Sequence, residues 1–154
     1  MNYECLLQEA ADNNLYVIEN AIFESNAKGL INNTVIGLNK NLDTTVEKTC
    51  VLAEELGHYH TSTGDILDQS SSNNRKQEHN ARMWAYNKLI GLHGIIKAYE
   101  HKCSSRDEVL DFLDVTNDFF EEAIQAYSQK YGPYVSVDNY VIFFTPSLGV
   151  MEIL

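Results

Sequence analysis

Apolar side chains at Tyr3, Leu6, Leu7 and Ala10 recur at helical spacing, and Asp12-Asn13-Asn14 closes that stretch. Leu15 to Phe23 is rich in valine, isoleucine and aromatics and reads as a strand. Gly29-Leu30-Ile31 and Thr34-Val35-Ile36 flank Asn32-Asn33, a hairpin pattern, because asparagine tolerates left-handed turn positions. Thr44 with Glu47 makes a capping box. Behind it Val46, Cys50, Ala53 and Gly57 recur at i, i+4, i+7 and i+11, a narrow face of small residues that predicts a helix to about His60. Residues 61–74 are polar and read as a loop. A second long helix is expected from about Asn74 to Ile90, with Ala81, Trp84, Ala85, Leu89 and Ile90 on one face. Gly91 and Gly94 interrupt it, and a shorter helix follows over 95–101. Residues 106–130 read as two helices about the turn Asp114-Val115-Thr116, the cadence of a helix-turn-helix, with Thr116 as N-cap. Gly132-Pro133 ends it, and Tyr140 to Phe144 reads as a late strand. The pattern predicts an α+β fold: a small N-terminal antiparallel sheet packed on the helix after Thr44, followed by a helical half.

Charge and composition narrow the function classes. The 154 residues suit one domain or two small lobes. No run approaches the roughly 20 apolar residues that span a bilayer. Met1-Asn2-Tyr3-Glu4-Cys5 lacks the basic and apolar regions of a signal peptide, so a cytoplasmic location is expected, with no membrane partner. The formal net charge is −11, from 22 acidic and 11 basic residues. Such a surface repels phosphate backbones, and it either suits a basic protein partner or mainly keeps the protein soluble. Residues 117–130 hold Asp118, Glu121 and Glu122 against Lys130 alone, whereas a DNA-reading helix is basic. That segment therefore reads as structural or as a docking surface, and no direct nucleic-acid binding is expected. Cys5, Cys50 and Cys103 are far apart with no CxxC, which indicates neither a disulfide framework nor a thiolate zinc knuckle.

The chemistry concentrates in Glu54-Glu55-Leu56-Gly57-His58-Tyr59-His60. Positions 54 and 58 lie one helical turn apart and project from one face. Zincin-type peptidases use that spacing for two ligands on one metal, and the residue after the first ligand is the general base. Here Glu55 holds the base position and His58 the second ligand position. The first, ordinarily histidine, holds Glu54. A carboxylate there can ligate zinc, Zn2+, but it lowers the charge of the site and moves the preference toward a harder ion such as Mn2+. A third ligand is expected from a later helix. Glu78, at 78 − 58 = 20 positions past His58, shares a face with Ala81 and Ala85 and is expected to point inward. Two accessory residues remain open. His60 takes the place of Glu54 if the helix ends at Gly57 or His58; otherwise it bonds a substrate oxyanion or lies on the surface. Asp65 either orients His58 through its other ring nitrogen or is an ordinary loop aspartate. The glycine before His58 argues for close approach by a second helix or a ligand. In zincins an edge strand beside the cleft pairs with the extended substrate, and Tyr16 to Asn20 or Val35 to Leu38 are the candidates.

The segment Cys50 to Thr61, Gly64-Asp65-Ile66, and Asn74-Arg75-Lys76-Gln77-Glu78 followed by Ala81-Arg82 together resemble the ImmA/IrrE-type metallopeptidases of prophages and mobile elements. The resemblance runs from about residue 1 to 145, and the helix-turn-helix-like segment fits the architecture of that family. It implies a zincin-like core over residues 1–102, with residues 103–154 supplying the helix-turn-helix-like segment and C-terminal strand and tail of one compact unit. It further implies a gluzincin-like site with His58 and Glu78 as ligands and Glu55 as base. The implied substrate is a helix-turn-helix repressor of the same element, cleaved to relieve repression. The alternative is a catalytically weak module that binds and sequesters that repressor.

Overall fold

In the computed structural model, which describes residues 2–62 and 71–154, the chain begins with helix α1 (Tyr3–Asp12). The Asn2 side chain caps it by accepting from the Cys5 amide at 2.9 Å. The asparagines that close it do so as their chemistry dictates: Asn13 is the C-cap and Asn14 is left-handed at φ 59°. Strands β1 (Tyr16–Ala21), β2 (Gly29–Asn32) and β3 (Val35–Asn39) follow, then α2 (Thr45–Thr61) and α3 (Ser71–Leu89). Thr44 caps α2 by accepting from the Glu47 amide at 3.1 Å. The chain divides into two compact units, Met1–Ala85 and Tyr86–Leu154.

The sheet of the first unit has the order β1-β3-β2. The α+β reading holds, but the sheet is mixed rather than wholly antiparallel. β2 and β3 form the expected hairpin through Asn33 at φ 55°, while β1 pairs with β3 in parallel. The reason is the connection 22–28, which carries the chain past the slot beside β1 and leaves it for β3. The register puts Gly29, Ile31, Ile36 and Leu38 on the face that meets α2. Ile36, Leu38, Leu52, Leu56 and Leu6 are fully buried there; such aliphatic side chains contribute roughly 1.5–3 kcal/mol each on leaving water. Tyr16, Ile18, Leu30 and Val35 lie on the opposite face and are exposed.

The second unit carries α4 (Gly91–Glu100), α5 (Arg106–Leu113) and α6 (Asn117–Tyr131). Gly91 takes φ +67°, a conformation that costs glycine little, and this breaks α4 from α3. Gly94, expected to interrupt the helix, lies inside α4. The helix-turn-helix cadence is real. Ser105 and Thr116 cap the two helices, and Asp114 is left-handed at φ 58° in the turn between them. Phe120 and Tyr127 are fully buried, and the Tyr127 hydroxyl donates to Asn87 Oδ1 at 3.0 Å. Where one late strand is expected, three occur: β4 (Tyr134–Val137), β5 (Tyr140–Phe143) and β6 (Gly149–Glu152), antiparallel in that order. β4 and β6 have four residues each and bury little, so their patterns do not stand out in sequence. Among the described residues no helix is long and apolar enough to cross a membrane.

Candidate active site

The candidate site is a cleft of about 440 Å3 in the first unit, where α2, α3 and β2 meet. Glu54, Glu55 and His58 line it from α2 and Glu78 from α3; Lys28 to Ile31 and Val51 complete the wall. α2 runs unbroken to Thr61, so residues 54 and 58 do share a face. Gly57 is what brings α3 near. A Cβ built there would lie 2.3 Å from the Ala81 carbonyl oxygen, so only glycine allows this crossing. With the helices that close, His58 Nε2 lies 3.3 Å from Glu78 Oε1, and Arg82 reaches toward the other carboxylate oxygen of Glu78 at 4.0 Å.

Glu55 is set apart from its neighbours by burial. It is 8% exposed, one of two buried polar residues among those described, the other being Thr49. Loss of hydration, then the nearby Glu54 and Glu78 carboxylates, push it from the usual 4.5 up to about 7. β2 closes over it: a Cβ on Gly29 would meet Val51 Cγ1 at 2.6 Å and Glu55 Oε1 at 3.2 Å.

The expected residues fare differently. Glu78 does not point into the core. Its side chain is 51% exposed at the rim, because the inward places on α3 are filled by Ala81 and Ala85. His60 does not replace Glu54, since the helix continues past it. It stacks on Trp84 with ring centroids 4.8 Å apart and lies 3.8 Å from Glu9, outside the cleft. Asp65 lies outside the described residues. Neither expected edge strand borders the cleft: β3 is central and β1 is the far edge, so β2 takes that place. Lys28 and Gly29 were not singled out by sequence. The one signal was a glycine opening an apolar strand, which can mark close backbone approach.

The donor set can be tested against a metal. Two ligands on a tetrahedral ion with bonds of roughly 2.0–2.1 Å sit about 3.3 Å apart. The His58–Glu78 separation matches that, and a neutral imidazole with a carboxylate is a donor pair zinc accepts. Glu54 lines the same cleft, but among the described residues no three such side chains are gathered into one cluster.

Residues 10–125, from the end of α1 into α6, match the family model described as the IrrE N-terminal-like domain, the M78 peptidases. The chain belongs to this family. It is thus a metallopeptidase-like domain, and the matched stretch contains every residue of the cleft. No curated protein and no solved structure matches this M78-family chain.

Proposed function

We propose that this M78-family domain is a metal-dependent endopeptidase that cuts a helix-turn-helix repressor of a prophage or mobile element and so relieves repression. The observation that carries the reading is the placing of Glu55: a buried carboxylate under β2, in the cleft where His58 and Glu78 meet and beside the outer strand of the sheet. A carboxylate so placed can both take a proton and return it. His58 and Glu78 would hold a divalent cation, zinc or manganese, with Glu54 as a further donor. When bound, that cation supplies Lewis-acid polarisation of the scissile carbonyl and acidifies water. Glu55 takes the proton from the attacking water and hands it to the leaving amine. Among the described residues β2 is an outer strand of its sheet, and its outer edge would pair with an extended stretch of substrate, so the cut segment must be extended or locally unfolded. A net charge of −11 attracts a basic partner, and DNA-binding repressors are basic.

A second reading is a module that captures the repressor without cutting it. Glu54, standing where the HExxH spacing has histidine, favours it. Elemental mass spectrometry of the parent and Glu78→Ala, beside incubation with a helix-turn-helix repressor of the same element, separates the two. The peptidase holds about one equivalent of metal, loses it in Glu78→Ala, and in Glu55→Gln loses cleavage but keeps binding. Capture without cleavage, unchanged in Glu55→Gln, supports sequestration. No metal in the parent after zinc is offered refutes the metallopeptidase reading.

A further inference from the structure

Glu78, Ala81 and Trp84 follow one another along α3 at three-residue spacing, and each meets a different residue near the end of α2. Glu78 lies 3.3 Å from His58, the Ala81 backbone lies against Gly57, and Trp84 stacks on His60. The stacked rings have centroids 4.8 Å apart and planes 22° from parallel. Successive residues of a helix turn by about 100°, so His58 and His60 leave α2 on opposite flanks of Gly57.

The middle contact fixes a distance but not an angle. Crossing angles are set by side chains that interdigitate, and Gly57 presents none. The two outer contacts are left to hold α3 against swivelling about Ala81. At one end the His58 and Glu78 side chains are 22% and 51% exposed, and a solvated pair of that kind holds weakly. At the other end the His60 ring is fixed from several sides. It faces Trp84, meets Tyr59 edge-on at 5.0 Å, and has Glu9 of α1 3.8 Å from its Nε2.

We infer that His60 is a positioning residue for the metal pair: through its stack on Trp84 it sets the crossing of α3 over α2, and so the separation of His58 from Glu78. The role of that pair as metal ligands rests on the peptidase reading; the lever itself does not. Ala81 lies midway between Glu78 and Trp84, about 4.5 Å along the axis from each. The two arms are equal, so a shift of about 1 Å at Trp84, as the chain relaxes into the space left by a missing ring, appears as about 1 Å at Glu78. That carries the pair past the roughly 3.3 Å at which two ligands share one ion.

The test measures zinc by equilibrium dialysis and stability by urea unfolding, on the intact chain and four variants. His60→Ala should bind zinc at least tenfold more weakly. Trp84→Leu, which removes the stack from its other side, should do the same. His60→Phe keeps a ring to stack but cannot ligate, and it should restore most of the affinity. Ile142→Val trims a fully buried side chain of the second unit, so it should lower the urea midpoint and leave zinc binding unchanged. Parent affinity in His60→Ala or Trp84→Leu overturns the positioning role. So does His60→Phe binding as weakly as His60→Ala, because the imidazole itself is then required. If the parent takes up no zinc, the metallopeptidase reading fails instead, and the metal-free protein decides the lever by NMR. A cross-peak between the His58 ring and the Glu78 side-chain protons should be present in the parent and His60→Phe and lost in His60→Ala. An equal cross-peak in all three, or none in the parent, overturns it.

Discussion

Replacing Gly57 by alanine sets two effects of opposite sign against each other. In an ordinary helix interior the change favours the folded state by about 1 kcal/mol. Here the new Cβ would lie 2.3 Å from the oxygen and 3.0 Å from the carbon of the Ala81 carbonyl, and both belong to the α3 backbone, so no rotamer can move aside. Restoring an ordinary contact displaces α3 from α2 by about 1 Å, and overpacking of that kind costs about 1–3 kcal/mol. The propensity gain is offset, and a net loss of about 1 kcal/mol or more is expected. The same displacement acts on the site. His58 follows Gly57 directly and Glu78 lies one turn before Ala81, so their 3.3 Å separation widens toward about 4 Å, too far to share one ion. Urea unfolding of the metal-free protein should show a lower midpoint. Equilibrium dialysis should show zinc bound at least tenfold more weakly, the scale on which misplaced ligand geometry costs affinity. Gly94→Ala is the control, because its Cβ would meet only Leu113 Cδ2, at 3.4 Å. There the propensity term acts alone and the protein should gain about 0.5–1 kcal/mol. A Gly57→Ala protein as stable as its parent, with unchanged zinc affinity, refutes the claim that this crossing needs glycine.

Gly29→Ala should cost about 1 kcal/mol, because the atom in the way is a methyl of Val51, and Val51→Ala in the same chain should recover part of that loss in a double-mutant cycle. Glu55 makes the metal-free protein pH-sensitive in a stated direction. Its folded value is raised from 4.5 to about 7, so its contribution is full below about pH 4.5 and is lost as pH rises to about 7. Glu55→Gln, which cannot ionise, should therefore match the parent at pH 4 and exceed its stability at pH 8 by on the order of 3 kcal/mol, read by urea unfolding. Equal stability of the two at pH 8 would show that Glu55 is not held protonated by burial. Glu54→His restores the two-histidine spacing and should raise zinc affinity at least tenfold by dialysis; no gain would place residue 54 outside the metal's reach.

Much of this protein is determined by sequence alone, wherever the cause is local. Asn2, Thr44, Ser105 and Thr116 cap helices with their own side chains, and Asn14, Asn33 and Asp114 take left-handed turns that few other residues accept. The four-residue spacing of 54 and 58 sets two side chains on one helix face whatever surrounds them. The glycine at 57 signals a close neighbour, though not which one. Tertiary structure decides the rest, because it depends on which elements meet. Periodicity does not reveal that β3 inserts between β1 and β2, and that insertion leaves β2 as the edge beside the cleft. Glu78 and Ala81 share a helix face, yet Glu78 stays at the rim to meet His58 while Ala81 is buried against Gly57. Glu54 and Glu55 are adjacent carboxylates with equal propensities. Only the strand closing over one of them, with no side chain at Gly29 to hold it off, makes Glu55 the buried group poised near neutral pH.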